Sequence, residues 1–452
     1  MAVLLIILAL GLLIAGAWAG LSVLVLAPLL AGGAAFAAGA PVLAAYTQIF
    51  MVAAGGFVVS FFPLFLLGAL FGKVMDASGA AQVLARAIAT AVGSENAILA
   101  VVLACAVLTY GGVSLFVVAF VAWPLARALF AETGLPARLI PATIALGAFT
   151  FTMTALPGTP SIQNAIPMAS FGTTPFAAPG LGVIAATAML GLGMVWLRYR
   201  ARALAGGASP AMPEPSDRDA ALPLWAALAP ILSVGVVTFG MGWVVLPAMQ
   251  TDYLALPQYG GTDVGRVGGL WSVITALTVA LVLALALSRP PRLMQTLNDG
   301  AESALLPLFN TASLVGFGAV IASLPGFEVL RLGLEGLYGG NVVVTAALSS
   351  GALAGITGSA SGGMSIALDV LGPSLVAQAA VQGVDPALLH RVVSVATGGL
   401  DTLPHNGAVI TLLGICGMTH RQAYGDIFVV AVIGPLCACA LIMVLGMVFG
   451  SF

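Results

Sequence analysis

Gly111-Gly112-Val113-Ser114-Leu115 and Gly362-Gly363-Met364-Ser365-Ile366 carry one signature written twice, about 250 residues apart. About forty residues beyond each copy the apolar chain is interrupted again. Leu156-Pro157-Gly158-Thr159-Pro160-Ser161 matches Leu403-Pro404-His405-Asn406-Gly407-Ala408. Ahead of each copy, Pro63-Leu64-Phe65 with Gly72 matches Pro307-Leu308-Phe309 with Gly316. Duplicated halves broken by Gly, Pro, Ser, Thr and Asn inside apolar segments are the sequence mark of a secondary transporter.

The composition supports this class. Hydrophobic residues make up 61% of the 452 and charged residues 7%. A soluble chain of this length would need far more charge to cover its surface, so most of the protein faces lipid or a membrane-buried core. A net charge of -2 suggests no nucleic-acid or polyanion partner. Cys105, Cys416, Cys437 and Cys439 sit in apolar runs, and their spacing fits no zinc or redox motif. No Ser, Cys or Asp pairs with the three histidines at the spacing of a known hydrolase motif, so no enzyme is expected. Residues 3–19 end in Ala17-Trp18-Ala19, like a signal-peptide cleavage site. No Lys or Arg precedes them, so they read as a first transmembrane helix.

Working outward, runs long enough to span lie near 3–19, 21–39, 49–72, 139–168 and 178–197. In the second half they lie near 223–248, 267–288, 303–325, 387–416 and 425–449. The polar stretch 198–222, with Arg198, Arg200, Arg202, Glu214, Asp217, Arg218 and Asp219, is the expected cytoplasmic linker. It separates a first repeat, 1–197, from a second, 223–452. Stretches 96–130 and 341–379 are each too long for one span and are broken midway. They read as re-entrant helical hairpins, because non-helical backbone at membrane depth survives only against protein or a wet cavity. Two full helices joined by a surface turn are the plainer alternative. Segments 139–168 and 387–416 read as broken helices. The expected fold is therefore an all-α polytopic membrane protein of two inverted-topology repeats, each with a re-entrant hairpin and a broken helix.

Charge tests the topology. With three helices, a hairpin, a broken helix and a final helix per half, and with the linker inside, both termini lie outside. The inside loops then hold Lys73, Arg86, Arg127, Arg138, Arg198, Arg200, Arg202, Arg218, Arg289, Arg292 and Arg421, and the outside loops hold Arg266, Arg331 and Arg391. Eleven against three satisfies the positive-inside rule in both halves.

The breaks carry the chemistry. Pro removes a backbone donor and Gly relaxes the chain, so each break should leave two half-helices with free ends near the midplane. A half-helix N-terminus suits a carboxylate. Gly158, Thr159, Ser161, Gln163 and Asn164 in the first break, and Thr402 and Asn406 in the second, add neutral groups. At the hairpin tips, Tyr110, Gly112 and Ser114, and Thr357, Ser359, Ser361, Gly362 and Ser365, place hydroxyls among glycines. These segments also fit a plain Pro kink and small-residue helix packing. Asp401 and His405 are the unusual pair, since an ionisable group at membrane depth is costly and functional by default. They form a candidate proton site, and Asp401 also fits as a helix cap. Asp369, one or two turns beyond the second tip, faces either the cavity or water. The same hydroxyls and unwound carbonyls suit Na⁺, so the residues leave the choice of coupling ion open. An uncoupled channel is the rival from another class.

These residues resemble the gluconate permease (GntP) family of proton-coupled carboxylate symporters. The likeness runs from Pro63-Leu64-Phe65 with Gly68, Gly72, Lys73 and Ser78-Gly79-Ala80-Ala81, through Tyr110 and Leu156–Pro160, to Gly358-Ser359-Ala360 and the final break. It implies a bacterial inner-membrane carrier importing hydroxy-acids with protons, forming a homodimer and moving one domain as an elevator. Three places depart from the gluconate carriers. Gly111 stands where they have an acidic residue, Ala155-Leu156-Pro157-Gly158-Thr159-Pro160 lacks their His, and Asp401-Thr402-Leu403-Pro404-His405-Asn406-Gly407 looks like the 3-hydroxybutyrate branch. The resemblance thus implies a small hydroxy-monocarboxylate such as 3-hydroxybutyrate, with gluconate-type acids as the alternative.

Overall fold

A computed structural model describes residues 2–18, 21–113, 115–204, 222–327, 329, 340–404 and 406–452. The described residues are helical or turn, with no strand among them. The first half opens with α1 (Ala2–Trp18), α2 (Val23–Ala37) and the long α3 (Val42–Ala77). A short amphipathic helix, α4 (Ala80–Val92), follows. It buries Ala81, Leu84, Ala85 and Ala89 and leaves Arg86 exposed, the one-sided stripe of a helix at an interface.

The hairpin comes next. Helix α5 (Ala97–Tyr110) is only 14 residues long, about 21 Å at 1.5 Å per residue, which falls short of a bilayer core. It turns at 111–113 and returns as α6 (Leu115–Glu132). The broken helix is α7 (Ala137–Thr154) and α8 (Ile162–Phe171), and α9 (Pro179–Ala203) closes the half. The second half repeats this order: α10 (Leu224–Ala248), α11 (Val264–Ser288), α12 (Leu293–Ser323), a hairpin of α13 (Val342–Thr357) and α14 (Ala360–Gln382), a broken helix of α15 (Pro386–Leu400) and α16 (Gly407–Ile415), and α17 (His420–Phe449).

Equivalent helices of the halves pack antiparallel, as inverted topology requires. Late in α3, Lys73 lies against Gly300, early in α12. Early in α3, Phe50 lies against Gly316, late in α12. The same holds for the closing helices. The N–H of Gly180, at the start of α9, donates to the carbonyl of Phe452 at 2.8 Å. Near the other end of α9, Arg200 pairs with Asp426, early in α17, at 2.7 Å. The protein is built of two inverted-topology repeats.

Three expectations about extent and register change. Helix α9 runs on to Ala203, so Arg198, Arg200 and Arg202 belong to its end and not to the linker expected from 198. The run at 303–325 is part of a longer helix that begins at Leu293 and carries Asp299 and Glu302. Those carboxylates line an open cavity, so the helix extends past its apolar segment without putting charge into lipid. The Gly doublets are also not equivalent. The positive-φ turn of the first hairpin is Gly112 (φ +87°), and that of the second is Gly358 (φ +63°), a conformation only glycine adopts freely. Gly363 instead lies inside α14, where a Cβ would stand 2.2 Å from the backbone N of Ala354. It is there to let the two arms of the hairpin touch.

Candidate functional site

A cavity of about 1260 Å³ gathers the interrupted segments of both halves. One side is walled by Thr109, Gly112 and Val113 of the first hairpin and by Met153, Pro160, Ser161, Ile162 and Gln163 of the first broken helix. The other is walled by Gly358 to Ser361 of the second hairpin and by Asp401, Thr402, Asn406 and Gly407 of the second broken helix. Helices α3 and α12 complete it, with Lys73, Asp76, Asp299 and Glu302 at one end and Asn310 and Thr311 deeper in.

At the first break, the Tyr110 hydroxyl donates to the Pro157 carbonyl at 2.9 Å, fastening hairpin tip to break. Gly158 takes φ +79° and lies against Phe176 and the Tyr110 hydroxyl. The Ser161 hydroxyl turns back onto the Met153 carbonyl. It therefore leaves the N-terminus of α8, where Ser161 is the N-cap residue, without a side-chain cap. Among the described residues no acceptor is found for the backbone N–H groups of Ile162 and Gln163, and both residues line the cavity. An N-terminus in that state carries free donors and partial positive charge.

The second break differs. Asn406 caps α16 by accepting from the N–H groups of Ala408 (2.6 Å) and Val409 (3.0 Å). Its amide also donates to the Gly358 carbonyl at 2.9 Å, joining this break to the second hairpin tip. Ser359 caps α14 through the Gly362 N–H at 3.1 Å, and its hydroxyl lies 3.3 Å from that of Ser361. Ser361 in turn lies 3.4 Å from the Thr311 hydroxyl on α12. Asp401 is 8% exposed. Its carboxyl group sits beside the backbone N–H groups of Thr402 and Ala360. Its Oδ1 is buried without a partner among the described residues.

Gly112, Ser161, Ser359, Ser361, Asp401, Thr402 and Asn406 thus meet around one cavity. Tyr110, Gly158, Thr159, Asn164 and Gly362 do not reach its wall. Gly362 is covered by Leu314, and Thr159 is fully buried with a hydroxyl that finds no partner. Thr402 lines the wall but spends its hydroxyl on the Ala431 carbonyl at 2.8 Å. Ser365 is buried in packing, and Asp369 is exposed on the protein surface, outside the cavity lining. Ser114 and His405 lie outside the described residues, as does the side chain of Thr357.

Asn164 serves a different purpose. Its amide donates to the carbonyls of Thr159 (2.9 Å) and Pro175 (3.0 Å). Its Oδ1 faces Nε2 of His390 at 3.0 Å and accepts from Arg391 at 3.3 Å. Arg391 is no loop residue. It is fully buried in α15 and donates to the carbonyls of Ala177, Thr154 and Pro175. His390, equally buried, bonds Thr173 through Nδ1 at 2.6 Å, and Ser394 bonds the carbonyls of Thr154 and Gln163. The Thr154 carbonyl at the first break and the Pro175 and Ala177 carbonyls of the loop after α8 are what this cluster bonds, a tertiary cause that a linear reading misses. Asn310 and Thr311 were also missed as wall residues. The available signal was a polar pair directly after Pro307-Leu308-Phe309 in an apolar span.

Comparison with known proteins agrees with this architecture. No family model matches the chain. The crystal structure of the Alcanivorax borkumensis YdaH transporter, described as having an unusual topology, superposes with a TM-score of 0.56 at 18% identity, covering 90% of this chain and 89% of that one. Neisseria gonorrhoeae MtrF, described as illuminating a class of antimetabolite efflux pumps, superposes at 0.53 with 14% identity over 89% and 84%. At those identities the likeness concerns the fold. In sequence, the chain is 43% identical over 467 aligned positions to the uncharacterized transporter YxjC of Bacillus subtilis (strain 168), covering 98% of each. Broken helices, paired hairpins and full-length sequence identity place the chain in the YxjC family of membrane transporters.

Proposed function

We propose that this transporter imports a small hydroxy-monocarboxylate, 3-hydroxybutyrate first and gluconate-type acids second, together with a proton. The observation that carries the reading is that two unlike groups line one cavity. The uncapped N-terminus of α8 offers free N–H donors to a carboxylate. Across the cavity, the Asp401 carboxyl has an oxygen without a partner and can take a proton. The hydroxyls of Ser359 and Ser361 stand near for a substrate hydroxyl. The resemblance to the 3-hydroxybutyrate branch at 401–407 favours the short acid, and His405 belongs to the same coupling site on this reading. The proton is the only cofactor-like species the reading needs.

With the basic loops inside, both termini lie outside an inner membrane. The end of the cavity marked by Lys73, Asp76, Asp299 and Glu302 then faces the cytoplasm, as in an inward-open carrier. The resemblance adds a homodimer and elevator motion to the proposal.

The test is uptake of labelled 3-hydroxybutyrate into proteoliposomes under an inward proton gradient or an inward Na⁺ gradient. Accumulation with protons alone is expected, and Asp401→Asn should abolish accumulation while leaving substrate exchange. Accumulation with Na⁺ only would move coupling to the hairpin-tip hydroxyls and carbonyls. Normal accumulation by Asp401→Asn would remove the proton role. No uptake under either gradient, in vesicles that take up gluconate, would overturn the short-acid assignment.

A further inference from the structure

Among the described residues, the most heavily buried charged side chain is one that lies outside the cavity lining. Arg391 is 0% exposed, and among the described residues it has no carboxylate partner. Every hydrogen bond it makes is to a neutral oxygen: Ala177, Thr154 and Pro175 carbonyls and Asn164 Oδ1. A buried ion normally persists only with a counter-charge, because leaving water costs several kcal/mol. A neutral donor could satisfy those same oxygens without that cost. The missing counter-charge is thus the feature to explain.

Its neighbours indicate where that counter-charge sits. Thr154 directly follows Met153, and Asn164 directly follows Gln163. Met153 and Gln163 line the cavity, as do Ser161 and Ile162. The guanidinium therefore bonds two residues next in sequence to the cavity wall, Asn164 of the uncapped first turn of α8 being one, and itself lies outside the cavity lining. The helix end and the cation point the same sign of potential at the same place.

We propose that Arg391 is the fixed positive charge of the substrate site. It touches no substrate. It acts through the first turn of α8 on a bound carboxylate, and so makes the cavity select monoanions over uncharged molecules of the same shape. This rests on the carboxylate reading of the cavity and adds to it the source of charge selectivity. A fixed charge roughly 8–12 Å from the anion, at an effective dielectric constant of about 20, favours it by about tenfold to thirtyfold.

The experiment compares binding of 3-hydroxybutyrate and its uncharged amide to the purified full-length protein in detergent, by calorimetry. Four forms are used: the native protein, Arg391→Gln, Arg391→Lys and Asn164→Asp. Arg391→Gln removes the charge and keeps one NH2 group, enough for at most two of these acceptors. Asn164→Asp is nearly isosteric and sets a carboxylate beside Arg391, cancelling its charge in place; it also loses the bonds to the Thr159 and Pro175 carbonyls, a change that falls on both ligands alike. The native protein should prefer the anion. Arg391→Gln and Asn164→Asp should lose anion affinity about tenfold to thirtyfold while amide binding changes less than about threefold. Arg391→Lys should keep the preference. If Arg391→Gln does not yield monodisperse protein, Asn164→Asp decides alone. Equal loss for both ligands, or an undiminished anion preference, would overturn the role of Arg391 and leave the carboxylate reading standing. A native protein that binds neither ligand, or binds both equally, would overturn the carboxylate reading and this inference with it.

Discussion

Asn406 holds two elements with one side chain, and the two jobs can be separated. Its Oδ1 caps α16 through Ala408 and Val409, and its Nδ2 ties the break to the Gly358 carbonyl at the hairpin tip. Asn406→Ala removes both. A lost N-cap costs about 1 kcal/mol, and a lost hydrogen bond to a part-buried carbonyl about 1 kcal/mol more. Asn406→Ser keeps a capping oxygen of similar strength but has no amide to reach Gly358, so it should cost about 1 kcal/mol. Hydrogen–deuterium exchange by mass spectrometry reads the two effects at different places. In Asn406→Ser, exchange should rise about fivefold over 358–363 and stay native over 407–410. In Asn406→Ala it should rise over both. If Asn406→Ser loosens 407–410 as much as Asn406→Ala does, or leaves 358–363 unchanged, the tie between break and tip contributes nothing and the reasoning fails.

Other perturbations test the frame around the cavity. Tyr110→Phe deletes only the hydroxyl that bonds Pro157. It should cost about 1 kcal/mol, read as a lower melting temperature in detergent, and should weaken transport without abolishing binding. Gly147→Ala places a Cβ 2.4 Å from the Val102 carbonyl and 2.6 Å from Cys105 Cβ, where α7 crosses α5. A backbone oxygen cannot give way, so the loss should be about 3 kcal/mol or more, seen as aggregated material on size-exclusion chromatography. Asp426→Ala leaves Arg200 and the Trp196 indole N–H without their shared acceptor. Arg200 is partly exposed, so the expected cost is about 1–2 kcal/mol, and it should shrink in high salt.

The parts of the fold that were legible are those where local chemistry contradicts its surroundings. Pro and Gly clustered with polar residues in an apolar run mark both breaks, whereas lone prolines such as Pro63 and Pro307 stay inside continuous helices. The positions that misled are those where one residue type serves two purposes. Gly112 supplies a positive φ and Gly363 a close crossing, so aligning the doublets shifts the second tip by about five residues. Arg391 misled for the opposite reason. A charge near a helix start reads as a loop residue, and only carbonyls more than 200 residues earlier, at the first break and in the loop after α8, accept its hydrogen bonds.

Sequence duplication also hides a difference that matters more than the likeness. Ser161 and Asn406 both stand at the N-cap of the second half-helix, although the sequence match pairs Ser161 with Ala408, and both are residue types that normally cap. Asn406 does so, whereas the Ser161 hydroxyl is drawn back to Met153. One half-helix is thus electrically closed and the other open, and the open one has Arg391 behind it. The closed one lies beside Asp401, whose carboxylate is the only acid on that wall of the cavity among the described residues. Two open caps would offer an anion two equal sites. Divergence at these caps, together with an acid, Asp401, in the second break alone, gives the cavity one anion-binding and one protonatable side, which a symporter of the proposed kind requires.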